Sequence, residues 1–319
     1  MLKQKIRAML DLVADRISSR IRMGGPAAAA AERALLLGGK LAAARVRCLP
    51  AGTPLAEVEF KVYSQWGEDG ILQFLIGHVR PLEQTFVEFG TQDYTESNTR
   101  FLLVNDNWRG LIMDGSERAM EFVRGDVIYW RHDLEALRAF ITAENINELI
   151  ARRFPGPELG LLSVDIDGND YWVWQAVTRV QPAIVVCEYN SIFGARLAVT
   201  VAYRDNFDRT AAHHSNLYYG ASLSALCRLA DRKGYAFVGS NSAGNNAFFV
   251  RRDRLSGLPA LSAAEGYVES RYRESRDAGG RLSYLRGIER LRALQDLPLL
   301  DLDTGEERPI RELYAAELR

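Results

Sequence analysis

The chain contains only three cysteines among its 319 residues. Cys48, Cys187 and Cys227 are widely spaced and odd in number, which favours reduced thiols in a cytoplasmic protein over a disulfide scaffold. The sequence also lacks a C-x-x-C pair, which is a common part of zinc sites. Lys and Arg number 40 against 41 Asp and Glu, so no overall charge favours a nucleic-acid partner.

Long apolar segments are missing as well. No run of about 18 apolar residues predicts a transmembrane helix, and the first residues lack the apolar region of a signal peptide. Positive charge is concentrated at the start, where residues 1–50 contain ten Lys or Arg and three Asp or Glu. Apolar residues at helical spacing within 1–22 predict a basic amphipathic helix. We expect this helix to pack within the chain or in a homo-oligomer, with peripheral membrane contact as the alternative.

Three regions are predicted along the chain. An N-terminal helical arm, residues 1–58, has a second, alanine-rich helix after the Gly-Gly-Pro at 24–26, and this helix is expected to break at Gly38 and Gly39. Residues 59–255 form an α/β domain, and residues 256–319 form an extension of polar helices and turns.

Short apolar segments alternate with helical ones from about residue 60, which is typical of a mostly parallel sheet covered on both faces. The last two segments are separated by only NSAGN (241–245), too short for a crossover helix, so they must pair antiparallel. The sequence therefore predicts a Rossmann-like, doubly wound, seven-stranded sheet with an antiparallel terminal hairpin. The predicted strands are 85–90, 110–115, 126–130, 159–166, 182–189, 235–240 and 246–252.

Ligands of doubly wound sheets bind beyond the carboxyl ends of the strands, so the strand exits carry the candidate cofactor residues. The first exit reads VEFGTQDYT, where Gly90 permits close backbone approach, but the later glycines of G-x-G-x-x-G are absent. Asp114, at the second exit, is expected to hold both ribose hydroxyls of a nucleoside, or else to cap the next helix. Asp133, at the exit of the predicted third strand, is expected to accept from an adenine amino group or to act as a cap. The full candidate set is Ser64, Gln65, Glu88, Gly90, Thr91, Asp114, Gly115, Ser116, Asp133 and Asp165.

The segment LLSVDIDGNDYW (161–172) ends a buried strand in several carboxylates. Asp165 and Asp167 leave the fourth strand and Glu188 and Asn190 leave the fifth, so these four side chains are expected to line the reaction centre. Oxygen ligands of this kind suit Mg or Mn. In the alternative, Asp167 and Asp170 only cap the helix that follows.

The long segment 190–219 is predicted to cover the acceptor side, because loops of this length are usually functional or disordered. It contains two of the four histidines, and His213 or His214 is the predicted base for an acceptor hydroxyl. The alternative is that both are surface histidines. Arg196, Arg204 and Arg209 could meet an anionic group of the acceptor or simply be solvated.

Five strand–helix units and a terminal hairpin resemble the plan of class I S-adenosylmethionine-dependent methyltransferases. DIDGNDY (165–171) resembles the D-x-D-x-x-x-Y segment of cation-dependent O-methyltransferases, in which Asp165, Glu188 and Asn190 would match the metal ligands. Over residues 63–252, the segments YSQWGEDG, FVEFG, ESNTRFLL, SVDIDGNDYWVW, EYN, YGASL and NAFFV resemble FkbM-type methyltransferases. That resemblance implies O-methylation of sugars in polysaccharides and natural products.

These observations together predict an enzyme that transfers the methyl group of S-adenosylmethionine to a hydroxyl of a small molecule, sugar, glycan or nucleotide-linked precursor. Asp167 would act at the reaction centre, with or without a divalent metal. Two alternatives remain open at this point: a metal-dependent glycosyltransferase that uses the D-x-D at 165–167, and a non-catalytic binding module of the same fold.

Overall fold

The computed structural model of the chain describes residues 26–271 and 274–319. The predicted helix at 1–22 lies outside these residues. A seven-stranded mixed sheet forms the centre, in the order β3-β2-β1-β4-β5-β8-β7, and a three-stranded sheet has the order β10-β9-β6. The strands are β1 Thr85–Phe89, β2 Arg109–Asp114, β3 Leu134–Arg138, β4 Glu158–Val164, β5 Gln181–Glu188, β6 Val199–Thr200, β7 Tyr235–Ser240, β8 Asn246–Arg251, β9 Pro298–Asp301 and β10 Glu307–Pro309.

Strands β1 to β5 are parallel, while β8 pairs antiparallel with both β5 and β7. The predicted Rossmann-like, doubly wound sheet with an antiparallel terminal hairpin is therefore confirmed. Helices cover both faces of this sheet. In the described residues they are α1 Pro26–Val46, α2 Leu55–Val58, α3 Glu68–Val79, α4 Arg100–Asp106, α5 Glu117–Gly125, α6 Val127–Arg131, α7 Ile146–Arg153, α8 Asp170–Ala176, α9 Arg209–Ala212, α10 Leu223–Arg232, α11 Ala263–Gly266, α12 Ile288–Ala293, α13 Ile310–Leu313 and α14 Ala315–Leu318.

Alternation along the strands sends side chains to two separate apolar cores. On β1, Val87 and Phe89 join the core under α8 and α10, whereas Phe86 joins the core under α3. Both sets are fully buried, as expected for strands covered on two sides.

The third strand was predicted at 126–130, and this prediction is wrong. Those residues form α6, because the Asp126 side chain accepts a hydrogen bond from the Ile128 amide and caps a helix start. The strand lies instead at 134–138, where Leu134 and Ala136 are buried and alternate with more exposed neighbours. The next helix, α7, begins only at Ile146.

The alanine-rich helix does not break at Gly38 and Gly39, because α1 runs through both residues. A Cβ on Gly39 would lie 2.5 Å from Val62 Cγ2 and 3.1 Å from the Phe101 ring, whereas Gly38 has no atom within 4 Å of that position. Gly39 thus allows α1 to pack closely on the domain.

The C-terminal extension packs on the segment after β5. A third apolar core joins residues of 192–218 to residues of 285–318, with Phe193, Val199, Leu294, Leu299 and Ile310 at its centre. The small sheet pairs β6 from the first segment with β9 from the second. The extension therefore holds the predicted acceptor loop in an ordered shape. None of the described helices has the length and apolar character needed to cross a membrane.

Candidate functional site at the carboxyl edge of the sheet

The exits of β1, β2 and β4 meet at the point where the strand order reverses. Gly90 directly follows β1 with φ +78°, and an added Cβ would lie 1.6 Å from the carbonyl oxygen of Asp165. The Gly90 amide also donates to the Met113 carbonyl of β2, at 3.0 Å. Glycine at this position lets three strand ends approach one another, and such a switch point is where doubly wound sheets bind ligands.

Asp114 at the β2 exit is held by backbone amides on both sides. Its Oδ2 accepts from the Gln92 amide at 2.8 Å and its Oδ1 accepts from the Ser116 amide at 2.7 Å. Ser116 in turn caps α5, accepting from the Ala119 amide. Gly115 is exposed between them and faces the exposed ring of Phe140, 3.8 Å from its would-be Cβ. Because each carboxylate oxygen accepts more than one hydrogen bond, Asp114 is fixed in place while keeping acceptor capacity for a ligand.

Glu88 is used within the protein. Its buried carboxylate accepts from the Ser97 and Thr99 hydroxyls, both at 2.5 Å, and from the Asn98 and Thr99 amides. Burial raises the pKa of Glu88, and these hydrogen bonds oppose the rise. Glu88 therefore shapes the loop after β1. In the same loop Thr91 Oγ1 is buried with no hydrogen-bond partner among the described residues.

The segment YSQWGEDG forms the turn before α3. Asp69 Oδ2 accepts from three consecutive amides, those of residues 62–64, and the Ser64 hydroxyl accepts from the Asp69 amide. Burial raises the pKa of Asp69 to about 6. Glu68 Oε1 accepts from the Asn246 side chain, and Asn246 pairs with Glu188 across β8 and β5. These contacts connect the turn to the carboxyl edge of the sheet. Gln65 is exposed on the turn.

Asp133 does not lie at this edge. It precedes β3 instead of following the third strand, so it stands at the amino-terminal end of the sheet. There its carboxylate pairs with Arg153. The prediction that Asp133 contacts an adenine is wrong. It assumes that Asp133 follows the third strand, whereas that strand begins after it, at Leu134. Phe140 follows β3 on the correct edge and is 58% exposed.

Asp165, Asp167 and Glu188 form a three-acid cluster. One carboxylate oxygen from each can be chosen so that all three lie within 4.8 Å of one another. Burial raises the pKa of Asp165 and of Glu188 well above the usual range; the charge of Asp167 raises the pKa of Asp165 further, and the charge of Asp165 raises that of Glu188. Glu188 is 9% exposed, and its buried Oε2 has no hydrogen-bond partner in the described part of the chain. The cluster offers hard oxygen ligands, and Arg209 pairs with its Asp167.

The turn between β4 and α8 presents these acids. Asp170 accepts from the Ile166 amide at 2.8 Å and from the Gly168 amide at 2.9 Å. Asp167, with φ +56°, adopts the left-handed conformation that asparagine and aspartate tolerate better than other side chains. Asp170 therefore organises the turn, whereas Asp165 and Asp167 are left to face the cluster. The alternative in which Asp167 and Asp170 cap α8 is wrong, because α8 begins without a side-chain cap hydrogen bond and Asp170 bonds amides that precede the helix.

Asn190 holds the acceptor loop. Its amide group donates to the carbonyls of Leu217 and Tyr219, at 2.9 and 3.0 Å, and its Oδ1 accepts from the Ile192 amide. The Tyr219 side chain is half-buried beside the cluster, and burial followed by the charge of Glu188 raises its pKa well above the usual range. Tyr219 therefore stays protonated, and its hydroxyl can donate a hydrogen bond here. Tyr219 is not among the site residues predicted from the sequence, although it lies in the YGASL segment.

His213 and His214 follow α9 and contact each other, with ring centroids 4.1 Å apart. His213 Nδ1 lies 2.7 Å from the Ser215 hydroxyl, and burial lowers the pKa of His213, which keeps it neutral. His214 is exposed. The base role of either histidine stays a prediction.

Comparison with known proteins gives the following likenesses. No protein-family model matches the chain, and no curated protein matches it. Among solved structures it is similar to an O-methyltransferase from Bacillus cereus in complex with SAH, with 12% identity, 68% of this chain and 89% of that chain covered, and a TM-score of 0.36. It is similar to the N-terminal domain of EvdMO1 with SAH bound, with 11% identity, 66% and 93% covered, and a TM-score of 0.39. It is also similar to a putative O-methyltransferase from Klebsiella pneumoniae, with 13% identity, 75% and 94% covered, and a TM-score of 0.34.

Proposed function

We propose that the chain is an S-adenosylmethionine-dependent O-methyltransferase of FkbM type, acting on a hydroxyl of a sugar, glycan or nucleotide-linked precursor. One observation carries the proposal: Asp114 and Asp165 flank the exit of β1 at the point where the strand order reverses, with Gly90 packed between them. A nucleoside placed there would have its ribose at Asp114 and its reactive end at the three-acid cluster.

The cofactor end is preorganised. Asp114 is oriented by two amides before any ligand arrives, so a ribose diol would meet a fixed pair of acceptors without a further ordering cost. Phe140 replaces Asp133 as the proposed neighbour of the adenine, because its exposed ring follows β3 next to Gly115. Thr91, with its unpartnered buried hydroxyl, lies in the same loop as Gly90.

The three-acid cluster fits a divalent cation such as Mg or Mn. Its oxygens are close enough to share one ion, and the buried, unpartnered Glu188 Oε2 is an acceptor that a cation would satisfy. Asp165, Asp167 and Glu188 would hold the ion, while Asn190 keeps its part in fixing the loop. A bound cation would lower the pKa of an acceptor hydroxyl and orient it.

The chemistry is an in-line displacement. The acceptor oxygen forms a bond to the methyl carbon while the bond from that carbon to sulfur breaks, and the electron pair stays on sulfur as a thioether. The hydroxyl proton passes to a base, for which His213, kept neutral by burial, or His214 is proposed. Tyr219 would donate a hydrogen bond at the cluster, and the turn organised by Asp170 positions Asp165.

Calorimetric titration with S-adenosylhomocysteine tests the cofactor assignment. The wild-type chain should bind it, and Asp114→Asn should bind at least about tenfold more weakly, since a hydrogen bond to a charged group contributes about 1.5–3 kcal/mol. Asp133→Asn is the matched control, because that residue lies at the other end of the sheet, and it should bind like the wild type. Equal affinities for the wild type and Asp114→Asn would refute the assignment.

A metal-dependent glycosyltransferase is the second candidate, because both acids of the D-x-D lie in the three-acid cluster. It predicts that a nucleotide sugar with Mn²⁺ raises the melting temperature of the chain and that S-adenosylhomocysteine does not. A non-catalytic binding module would show neither shift.

A further inference from the structure

Arg209 contacts the three-acid cluster from the acceptor loop. Its Nη1 lies 2.6 Å from Asp167 Oδ1 and its Nη2 lies 3.5 Å from Glu274 Oε2. The guanidinium carbon stands 5.4 Å from the centroid of the Tyr219 ring. The Arg209 side chain thus contacts both the three-acid cluster and the C-terminal extension.

We propose that Arg209 is an internal counter-ion that competes with a divalent cation for Asp167, and that Glu274 receives the guanidinium when the cation is bound. The inference rests on the proposed function only in placing a divalent cation at the three-acid cluster. It assigns Arg209 and Glu274 as positioning residues that set how tightly the cluster holds its ion.

The charges require a competition. A divalent ion bound by the cluster would be positive, as is the Arg209 guanidinium, and both would use the Asp167 carboxylate. Burial of the site strengthens the repulsion between the two positive groups. Asp167 is the most exposed member of the cluster, and its side chain can turn more freely than that of buried Glu188. Asp167 is therefore the position at which ion and guanidinium exchange.

The geometry provides the alternative partner. The two amino groups of Arg209 already reach Asp167 and Glu274, so the exchange needs only a rotation of the side chain. Glu274 is 19% exposed and also pairs with Arg276 at 3.1 Å, which keeps its carboxylate in place while Arg209 moves. The Tyr219 ring supports the guanidinium through a cation–π contact in the position that the structure shows.

Mn²⁺ titration of the full chain, followed by calorimetry, tests the competition. Arg209→Gln should bind Mn²⁺ about tenfold more tightly than the wild type, within the range of coupling between two sites. Arg196→Gln is the matched control, because it removes the same charge from the same loop but from a residue that pairs with Glu317. It should change the affinity by less than about twofold, as expected for a distant, screened charge.

Glu274→Gln separates the exchange from simple charge effects. Alone it should weaken Mn²⁺ binding severalfold, because Arg209 loses its second partner and stays on Asp167. Combined with Arg209→Gln it should have no further effect, which is the non-additivity that a double-mutant cycle measures. If Glu274→Gln weakens binding equally in both backgrounds, it acts only through its charge and the inference is wrong.

Further outcomes overturn the inference while leaving the cofactor assignment intact. Unchanged or weaker Mn²⁺ binding by Arg209→Gln, or no Mn²⁺ binding by any variant, contradicts the competition. Titration of the same proteins with S-adenosylhomocysteine reports on the cofactor site alone, and its affinity should not vary among them. If the Mn²⁺ pattern appears without S-adenosylhomocysteine binding, the counter-ion stands and the methyltransferase assignment falls. Should Arg209→Gln fail to fold, Arg209→Lys tests the inference. Its Mn²⁺ affinity should differ from that of the wild type, and an equal affinity would contradict the inference.

Discussion

Replacing Gly90 with alanine should destabilise the protein by several kcal/mol, because no side chain fits at the exit of β1. The residue has φ +78°, a conformation that costs an alanine about 1–2 kcal/mol. The new Cβ would also lie 1.6 Å from the Asp165 carbonyl oxygen and 2.8 Å from its carbonyl carbon. Both are backbone atoms, so the clash cannot be relieved by turning a side chain.

Relief of that clash requires β1 and β4 to separate near their carboxyl ends. Overpacking of this kind costs about 1–3 kcal/mol, and with the backbone strain the total is about 2–5 kcal/mol. The Gly90 amide also donates to Met113, so the same shift loosens β2. Since single domains unfold with about 5–15 kcal/mol, the loss should be a large part of the stability.

Urea unfolding, followed by tryptophan fluorescence, measures this loss. The variants are compared where the slope of the unfolding free energy against urea concentration is unchanged. Gly115→Ala is the matched control at the next strand exit, where the nearest atom to a Cβ is Phe140 Cδ2 at 3.8 Å, an ordinary contact. It should change the unfolding free energy by less than about 0.5 kcal/mol, as most surface substitutions do. A loss below about 1 kcal/mol for Gly90→Ala would refute the close approach of β1 and β4, because the strain alone costs that much.

Three further outcomes are expected. Gly38→Ala should raise the unfolding free energy by about 1 kcal/mol through helix propensity, whereas its neighbour Gly39→Ala should lower it by about 1–3 kcal/mol through the clash with Val62; equal effects in urea unfolding would contradict the packing of α1. Folding raises the pKa of Asp69 to about 6, above its unfolded value, so stability from its protonated form is complete below about pH 4 and is lost as pH rises through 6. The unfolding free energy of Asp69→Asn minus that of the wild type should therefore rise by about 2–3 kcal/mol between pH 4 and 7, and a constant difference would exclude this linkage. Asp170→Ala should lower the melting temperature, because the amides of the β4 turn lose their acceptor at about 1–3 kcal/mol; an unchanged melting temperature would show that the turn holds without it.

The sequence located the strands whose apolar runs are buried on both sides. Strands β4 and β5 were placed to within two residues because continuous apolar segments bounded by turn residues have few other interpretations. The prediction of the third strand was wrong because local propensity there opposes the observed structure. VIYW has high strand propensity, but the Asp126 cap made it a helix, and the true strand LEALR is a good helix former by composition.

The candidate site was predictable where a residue acts from a strand exit. Asp114 and Glu188 end β2 and β5, and Asp165 and Asp167 follow β4, so the parallel arrangement brings these four acids to one edge. Glu274 and Tyr219 could not be found in this way, because they come from irregular segments of the extension and the acceptor loop. Only the packing of the third apolar core sets where these segments pass.

The amino-acid sequence by itself determined the sheet and the edge at which its acids gather, since the burial of apolar strands and the length of the 241–245 turn leave little choice of topology. The tertiary structure decided which acids are hydrogen-bonded within the protein and which are left to bind a ligand. Glu88, Asp69 and Asp170 are consumed by backbone amides and hydroxyls, whereas Glu188 keeps an unpartnered oxygen. The physical reason is that a carboxylate's role depends on the donors that other segments bring to it, and these donors are distant in sequence.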